Sequence, residues 1–312
     1  MPGASTRLKL FEADLMGEEA AFVTAMQGCT AVFHTASPFF LSGYADGEEA
    51  LVRPAVQGTT TVCNAAISTP SVSRVILTSS TAAVYLDERA PDHVYDEDDW
   101  SDVDYLRAGE KHYALSKVLA ERQAWSILGP HMAGQGRPCE LVVIAPTLVV
   151  GPMLQDALNV SCAQMADLLN GEKTTIPNAT KCLVDVRDVA QMHIAAMEDP
   201  KASGRYLCIA DCWPYEAIVK SLAGALSPSM RGGVPTLKDA GPPPNVQAFW
   251  SKERAWELGV HFRPLEQTLA DTAISLYVKG HLDSTLPEEL RSSTQGAVTV
   301  AQGGSQAVQA AQ

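Results

Sequence analysis

Short runs of apolar, β-branched residues alternate with longer stretches of helical periodicity through the first half of the chain. Residues 8–11 (LKLF) read as a strand and residues 18–27 as a helix. Residues 31–36 (AVFHTA) predict the next strand, and a long helix follows over about residues 48–67. Residues 74–80 (RVILTSS) predict another strand, then a loop rich in Asp and Pro, then a helix over about residues 110–128. That helix leads into residues 141–150 (LVVIAPTLVV), the most strongly apolar strand of the chain. Strands alternating with helices of roughly ten or more residues imply right-handed crossovers and an α/β fold with a parallel sheet, helices on both faces.

Beyond Gly151 the pattern is mixed. Residues 160–169 are helical, 182–186 a short strand, 189–197 a helix and 205–209 a strand. Three consecutive prolines within residues 241–245 (GPPPN) demand a turn, because proline cannot continue a helix. Residues 251–258 and 265–278 are the last helices. After Arg291 the chain is Ala, Gln, Gly, Ser, Thr and Val without charge or aromatic side chains, which predicts a disordered tail over about 285–312. The expected organisation is one domain over residues 1–284, with a smaller C-terminal substrate lobe drawn mainly from 151–180 and 205–262.

Composition narrows the class of partner. At 312 residues the chain can bury a large core, and 46% hydrophobic against 19% charged residues is ordinary for a globular protein. A formal net charge of −13 repels nucleic acid and anionic membrane surfaces, so neither is an expected partner. No run approaches the ~18 apolar residues of a membrane helix, and residues 1–15 lack a basic region followed by an apolar stretch. The seven cysteines include no Cys-x-x-Cys pair, so reduced, structural thiols and a cytoplasmic location are expected. His93, His112, His193 and His261 show no metal-ligand spacing, and no metal is expected.

The candidate chemistry lies on the helix of residues 112–121 (HYALSKVLAE). Tyr113 and Lys117 are four apart, so their side chains share one helical face a turn from each other. A free phenol has a pKa near ~10, and an ammonium beside it favours the phenolate and brings it toward the working range. The same spacing also arises by chance as an exposed pair on a solvated helix. What adds weight is the strand before it, which places Ser79, Ser80 and Thr81 at the carboxyl end of a parallel strand, where ligands bind in open α/β sheets. A hydroxyl there can donate a hydrogen bond to a carbonyl oxygen as charge develops on it, or can simply cap the strand end.

The segments HTASPFF, RVILTSSTAAVY, YDEDDWSD, YALSK, APTLVVGP, VDVRDVAQMHIAAMEDPKASGRYLC and SKERAWELGVHFRPLEQTLADTAISLYVKG follow one another in the chain. Together they resemble the dihydroflavonol 4-reductase, cinnamoyl-CoA reductase and aldehyde reductase branch of the extended short-chain dehydrogenases/reductases, over roughly residues 8–281. The resemblance implies an NAD(P)-binding Rossmann-like fold and NADP-dependent reduction of a ketone or aldehyde. It implies that Ser80 and Tyr113 hydrogen-bond the substrate carbonyl, that Tyr113 gives it a proton, and that Lys117 holds the nicotinamide ribose and tunes Tyr113. Thr81 is the fallback for the serine role. Asp14 and Leu15 match the position that contacts adenine. The strand end from His34 through Thr35, Ala36 and Ser37 matches the stretch beside the cofactor, and Pro146, Thr147 and Ser161 match the nicotinamide side. Asp14 also reads as a helix N-cap and Pro146 as a strand terminator.

One part of that family pattern is missing from the 312 residues. No glycine-rich turn joins a strand to a helix, and Gly134 and Gly136 follow a helix and precede a strand, the reverse of the required context. The first strand, its glycine loop, the following helix and the second strand are all absent, so the chain opens at what corresponds to the family's third strand. A truncated chain or incomplete gene model is therefore expected, with residues 8–15 lacking neighbours, an apolar sheet edge exposed, weak NADPH binding and poor solubility.

Substrate choice should come from the loop after Ser80 and from residues of about 153–171 and 212–245. Tyr85 stands where plant dihydroflavonol reductases carry an asparagine. Residues 110–115 (EKHYAL) replace the Asn-Trp-Tyr-Cys-Tyr signature of cinnamoyl-CoA reductases. The expected substrate is thus a small carbonyl compound of unspecified structure. Two rival readings are a nucleotide-sugar epimerase or hydroxysteroid dehydrogenase on the same scaffold, and a non-catalytic binding protein that kept the fold. Nothing in the sequence sets the oligomeric state.

Overall fold

The structure is a computed structural model that describes residues 4–40, 43–90, 92–225, 234–238 and 249–282. Through its first half the chain runs α1 (Ala4–Arg7), α2 (Glu19–Met26), β1 (Ala31–His34), a π-helical turn (Glu48–Val52) leading into α3 (Arg53–Ser68), β2 (Arg74–Thr78), β3 (Val94–Tyr95), α4 (Val103–Ala108), α5 (His112–Met132) and β4 (Glu140–Pro146). The second half adds β5 (Leu148–Val150), α6 (Val160–Leu169), β6 (Thr175–Ile176), β7 (Thr180–Asp185), α7 (Val186–Glu198), β8 (Gly204–Cys208), β9 (Asp211–Pro214) and α8 (Tyr215–Ala225). It ends with β10 (Leu237–Lys238), β11 (Phe249–Trp250), α9 (Glu253–Glu257) and α10 (Leu265–Val278).

The main sheet has the order β1-β2-β4-β8, every pair parallel, with Ala31 opposite Arg74, Arg74 opposite Glu140 and Val142 opposite Gly204. Its central strands are continuous apolar runs because both faces are covered by helices. Alternation along β4 divides the core in two. Leu141 and Val143 pack with Val62, Ala66, Ala124 and Leu128 of α3 and α5. Val142 and Ile144 pack on the other face with Met192, Ala196 and Ala255 of α7 and α9. A further core gathers Met165, Leu169, Leu222, Leu269 and Leu276 from α6, α8 and α10 over the small sheet β5-β7-β9. Residues 205–262 are thus divided, with β8 in the main sheet and β9 and α8 around the further core.

Three expectations are corrected. Residues 8–11 form no strand, and Leu8, Leu10 and Phe11 are 62%, 86% and 50% exposed. A strand exists through its ladder of hydrogen bonds, and this segment pairs with none of the sheets. The main sheet accordingly ends at β1, where Phe33 is exposed. The apolar run 141–150 is two strands in two sheets rather than one. It divides at Thr147, whose N–H donates to Cys208 O (3.3 Å) and whose Oγ1 donates to Cys182 O (3.0 Å), so this residue tacks both sheets together. Finally, Cys182 and Cys212, expected as reduced thiols, form a disulfide. They are direct partners in the antiparallel β7–β9 ladder, which brings together side chains 30 residues apart. Cys63, Cys139, Cys162 and Cys208 are free and buried, and Cys29 is free and exposed.

No helix among the described residues is long and apolar enough to cross a membrane. The turn expected at 241–245 and the tail from about 285 lie outside the described residues.

Candidate active site

Strand β2 delivers a run of hydroxyls to the carboxyl edge of the sheet, and each is directed differently. Ser79 continues the ladder through its N–H to Ile144 O (2.8 Å), while its Oγ donates to Glu121 Oε2 at 2.6 Å. Ser80 is extended (φ −161°, ψ 151°) and caps a single 3-10 turn over Thr81–Ala83, its Oγ accepting from the Ala82 N–H at 3.1 Å. The Thr81 hydroxyl is taken up by Pro146 O at 3.5 Å. Ser80 is the member of this run whose hydroxyl acts on the Tyr113 phenol, favouring its ionised form.

Helix α5 starts at His112, immediately after Glu110 has turned the chain with a left-handed φ of 50°. Tyr113 therefore sits in the first turn and Lys117 one turn on, on the same face. The Lys117 ammonium lies 5.8 Å from the Tyr113 ring centroid, and the Phe39 ring packs on Tyr113 at 4.5 Å. Burial pushes the Tyr113 phenol above its ordinary value, and the Ser80 hydrogen bond works against that rise. Removal from water outweighs the Ser80 hydroxyl at this phenol. Burial also brings Lys117 down to about 8, opposed by the Glu121 carboxylate. At neutral pH the phenol keeps its proton, and most of the lysine is charged.

His34 closes the group from β1. Its ring Nε2 lies 3.3 Å from Thr59 Oγ1, and burial, with the Lys117 charge second, lowers it to about 4. Because its folded value lies below its unfolded one, protons bind the unfolded chain first as pH falls from about 6.5 to about 4. His34 should therefore cost about 3 kcal/mol of stability across that window and nothing further below it. His34→Gln should flatten the fall between pH 7 and 4.5 in urea unfolding, and an unchanged slope would refute the assignment.

Ser80, Tyr113 and Lys117 open onto one cavity of about 1300 Å³. Thr35, Ser37, Pro146, Thr147 and Ser161 line it too, whereas Asp14, Leu15 and Ala36 are not part of its wall. Asp14 is exposed and binds its own turn, its Oδ1 accepting the Met16 N–H at 2.9 Å. Leu15 packs toward the core of the main sheet, close to Gly58, where an added Cβ would come within 2.9 Å of it. The two positions matched to adenine contact thus do not join the others. The rest of the wall is largely apolar and aromatic, including Phe39, Phe40, Tyr44, Tyr85, Leu148, Met153 and Trp250. Among the described residues no group of three or more His, Cys, Asp or Glu is placed to hold a metal ion.

The set suits the nicotinamide half of a dinucleotide. Hydroxyls and an ammonium converge on one wall, and Ser37 Oγ is buried there without a partner, as a group awaiting a ligand would be. Two residues at this site escaped the sequence reading, Glu121 and Arg205. Glu121 had a signal, since it falls four residues after Lys117 on the same helical face. Arg205 had none, because its partner lies 84 residues away.

Known proteins resemble this chain over most of its length. The model of the NAD dependent epimerase/dehydratase family matches residues 2–209. A cinnamoyl-CoA reductase of Medicago truncatula is 40% identical over 281 residues, which is 89% of this chain and 82% of the relative. Tetraketide alpha-pyrone reductase 1 of Arabidopsis thaliana is 35% identical over 289 residues, 92% of this chain and 85% of the relative. Among solved structures, the yeast methylglyoxal/isovaleraldehyde reductase Gre2 complexed with NADPH superposes with a TM-score of 0.73 at 27% identity, covering 86% of this chain and 84% of its own. Vestitone reductase from alfalfa superposes with a TM-score of 0.70 at 27% identity, covering 90% and 86%. The chain belongs to the NAD dependent epimerase/dehydratase family of extended short-chain dehydrogenases/reductases, in the branch of the cinnamoyl-CoA and tetraketide alpha-pyrone reductases.

Proposed function

We propose that this protein reduces a ketone or aldehyde to an alcohol, with NADPH as the reductant and Tyr113 as the proton donor. The observation that carries the reading is the convergence of Ser80, Tyr113 and Lys117 on one largely apolar cavity, the Lys117 ammonium 5.8 Å from the Tyr113 ring centroid. NADPH would supply the hydride. Lys117, Ser37 and Thr147 are the residues suited to hold its nicotinamide and ribose, and Pro146 and Ser161 complete that wall.

The chain's own groups do the rest. The Ser80 hydroxyl and the Tyr113 phenol orient a carbonyl oxygen and stabilise the negative charge that grows on it. Tyr113 then gives its proton to that oxygen, and its high pKa keeps the phenol protonated and ready to donate at neutral pH. The Lys117 ammonium beside the ring favours the phenolate left behind. Apolar side chains at Phe39, Leu148 and Met153 exclude water, so each of these interactions acts in a medium of low polarity. The substrate is a small carbonyl compound with apolar or aromatic substituents, since those are what the cavity wall can cover.

Initial rates of NADPH oxidation by the purified chain, at millimolar cofactor and with a panel of aromatic and aliphatic aldehydes and ketones, test the reading. Alcohol should form in a one-to-one ratio with NADPH consumed. Absence of turnover with every carbonyl, in a chain shown to be folded, would overturn it.

A further inference from the structure

Glu121 lies one helical turn beyond Lys117 and is 1% exposed. Its Oε2 accepts from Ser79 Oγ at 2.6 Å and its Oε1 from Trp125 Nε1 at 3.2 Å. Arg205 of β8, itself buried, places Nε 2.6 Å from Oε1. The same guanidinium donates through Nη1 to Glu97 O (3.0 Å) and Asp99 O (2.5 Å) and lies 4.0 Å from the Trp100 ring centroid. One buried carboxylate thus joins α5, the end of β2, β8 and the loop before α4.

A buried ion pair alone argues weakly for anything beyond cohesion, because desolvation cancels much of its attraction. The location of this one says more. Glu121 touches the residue before Ser80 and stands a turn from Lys117, so it borders Tyr113's two partners. Side chains alternate along a strand, and a Ser79 hydroxyl drawn to Glu121 leaves Ser80 directed at the phenol. Among the described residues, the charge that acts on Lys117 is the Glu121 carboxylate. Its own helix presents Tyr113 and Glu121, and β1 presents His34, which is neutral above about pH 4. Arg205 reaches it only through Glu121, whose charge it matches.

We propose that Glu121, anchored by Arg205, is a positioning residue for the Ser80–Tyr113–Lys117 group: it draws Ser79 aside so that Ser80 faces the phenol, and it keeps the Lys117 ammonium charged. This rests on the proposed carbonyl reduction, and it extends that reading to residues that touch neither substrate nor cofactor.

Glu121→Gln separates positioning from cohesion, since the amide oxygen can still accept from Ser79 while the charge is gone. Acylation of Lys117 by an amine-reactive ester, followed by peptide mass spectrometry across pH, reads the neutral amine directly and needs neither NADPH nor turnover. Its half-point should move down by about one pH unit in Glu121→Gln, a tenfold change in the charged fraction, and Glu121→Asp should restore it. The alkaline limb of kcat should move down with it, while KM for the carbonyl stays within about twofold. Ser79→Ala should lower kcat and leave the Lys117 half-point in place. Should Glu121→Gln fail to fold, Glu121→Gln/Arg205→Met removes both buried charges together and should still lower the half-point, because the carboxylate is the nearer of the two. An unchanged Lys117 half-point in the folded variant would overturn the proposal, even with kcat lowered equally at all pH values. A lowered half-point in a chain that reduces no carbonyl would sustain Glu121's hold on Lys117 and refute the reaction instead.

Discussion

Tyr113→Phe should lower kcat by about 10²–10⁴-fold and leave the carbonyl KM within a few-fold. The substitution removes one oxygen and little else. The phenyl ring that remains can keep the packing on Phe39 at 4.5 Å and the cation contact from Lys117, so the fold should survive. What goes is the hydroxyl that faces the cavity beside Ser80 and would carry the proton for the product alkoxide. In the unsubstituted protein the phenol stays protonated through neutral pH, whereas Lys117 loses its proton near pH 8. Turnover should therefore decline as pH rises through about 8, because the ammonium that stabilises the phenolate disappears. Initial rates across pH at saturating NADPH, with a melting curve of each variant, decide the matter. A phenylalanine variant with undiminished turnover would show that the proton comes from elsewhere, and a protein that only binds its ligand should be indifferent to the change.

The second large effect concerns the cofactor. NADPH should bind this 312-residue chain with a Kd of about 0.1–10 mM rather than micromolar. Two charge-assisted hydrogen bonds to the pyrophosphate, each contributing about 1.5–3 kcal/mol, separate those ranges. The usual source is a glycine turn at a helix N-terminus, and the sequence has no such turn between a strand and a helix. The positions matched to adenine do not compensate, since Asp14 is engaged in its own turn and Leu15 packs into the core of the main sheet. The nicotinamide half still meets Ser37, Thr147 and Lys117. Reduced nicotinamide mononucleotide, which lacks the adenosine, should consequently bind within about threefold of NADPH. Calorimetric titration of both compounds measures this directly, and micromolar NADPH binding would overturn it.

Local geometry was legible along most of the chain. The helices at 160–169 and 265–278 have the bounds the periodicity predicts, and β2 and β4 rise from the two apolar runs that demand burial on both faces. The spacing of Tyr113 and Lys117 was equally readable, because roughly 3.6 residues per turn is a property of the backbone whatever surrounds it. The hydroxyl run at 79–81 was legible as a strand end but not in its phase. That phase depends on what each hydroxyl meets: Glu121 for Ser79, the phenol for Ser80 and Pro146 O for Thr81.

Contacts between distant segments were the illegible part. Residues 8–11 have a strand's composition without a partner to pair with, so they form none. The run 141–150 divides because Thr147 bonds to β7 and β8, strands of two different sheets whose bonded residues lie 35 and more positions later. Cys182 meets Cys212 through antiparallel register, and Glu121 of α5 meets Arg205 of β8 across 84 residues of chain. The sequence by itself determined which segments coil, which extend, and which side chains share one helical face. Tertiary structure alone decided which buried charges and thiols meet and how the Tyr113 proton is held, because burial and register are properties of the assembled fold rather than of any one segment.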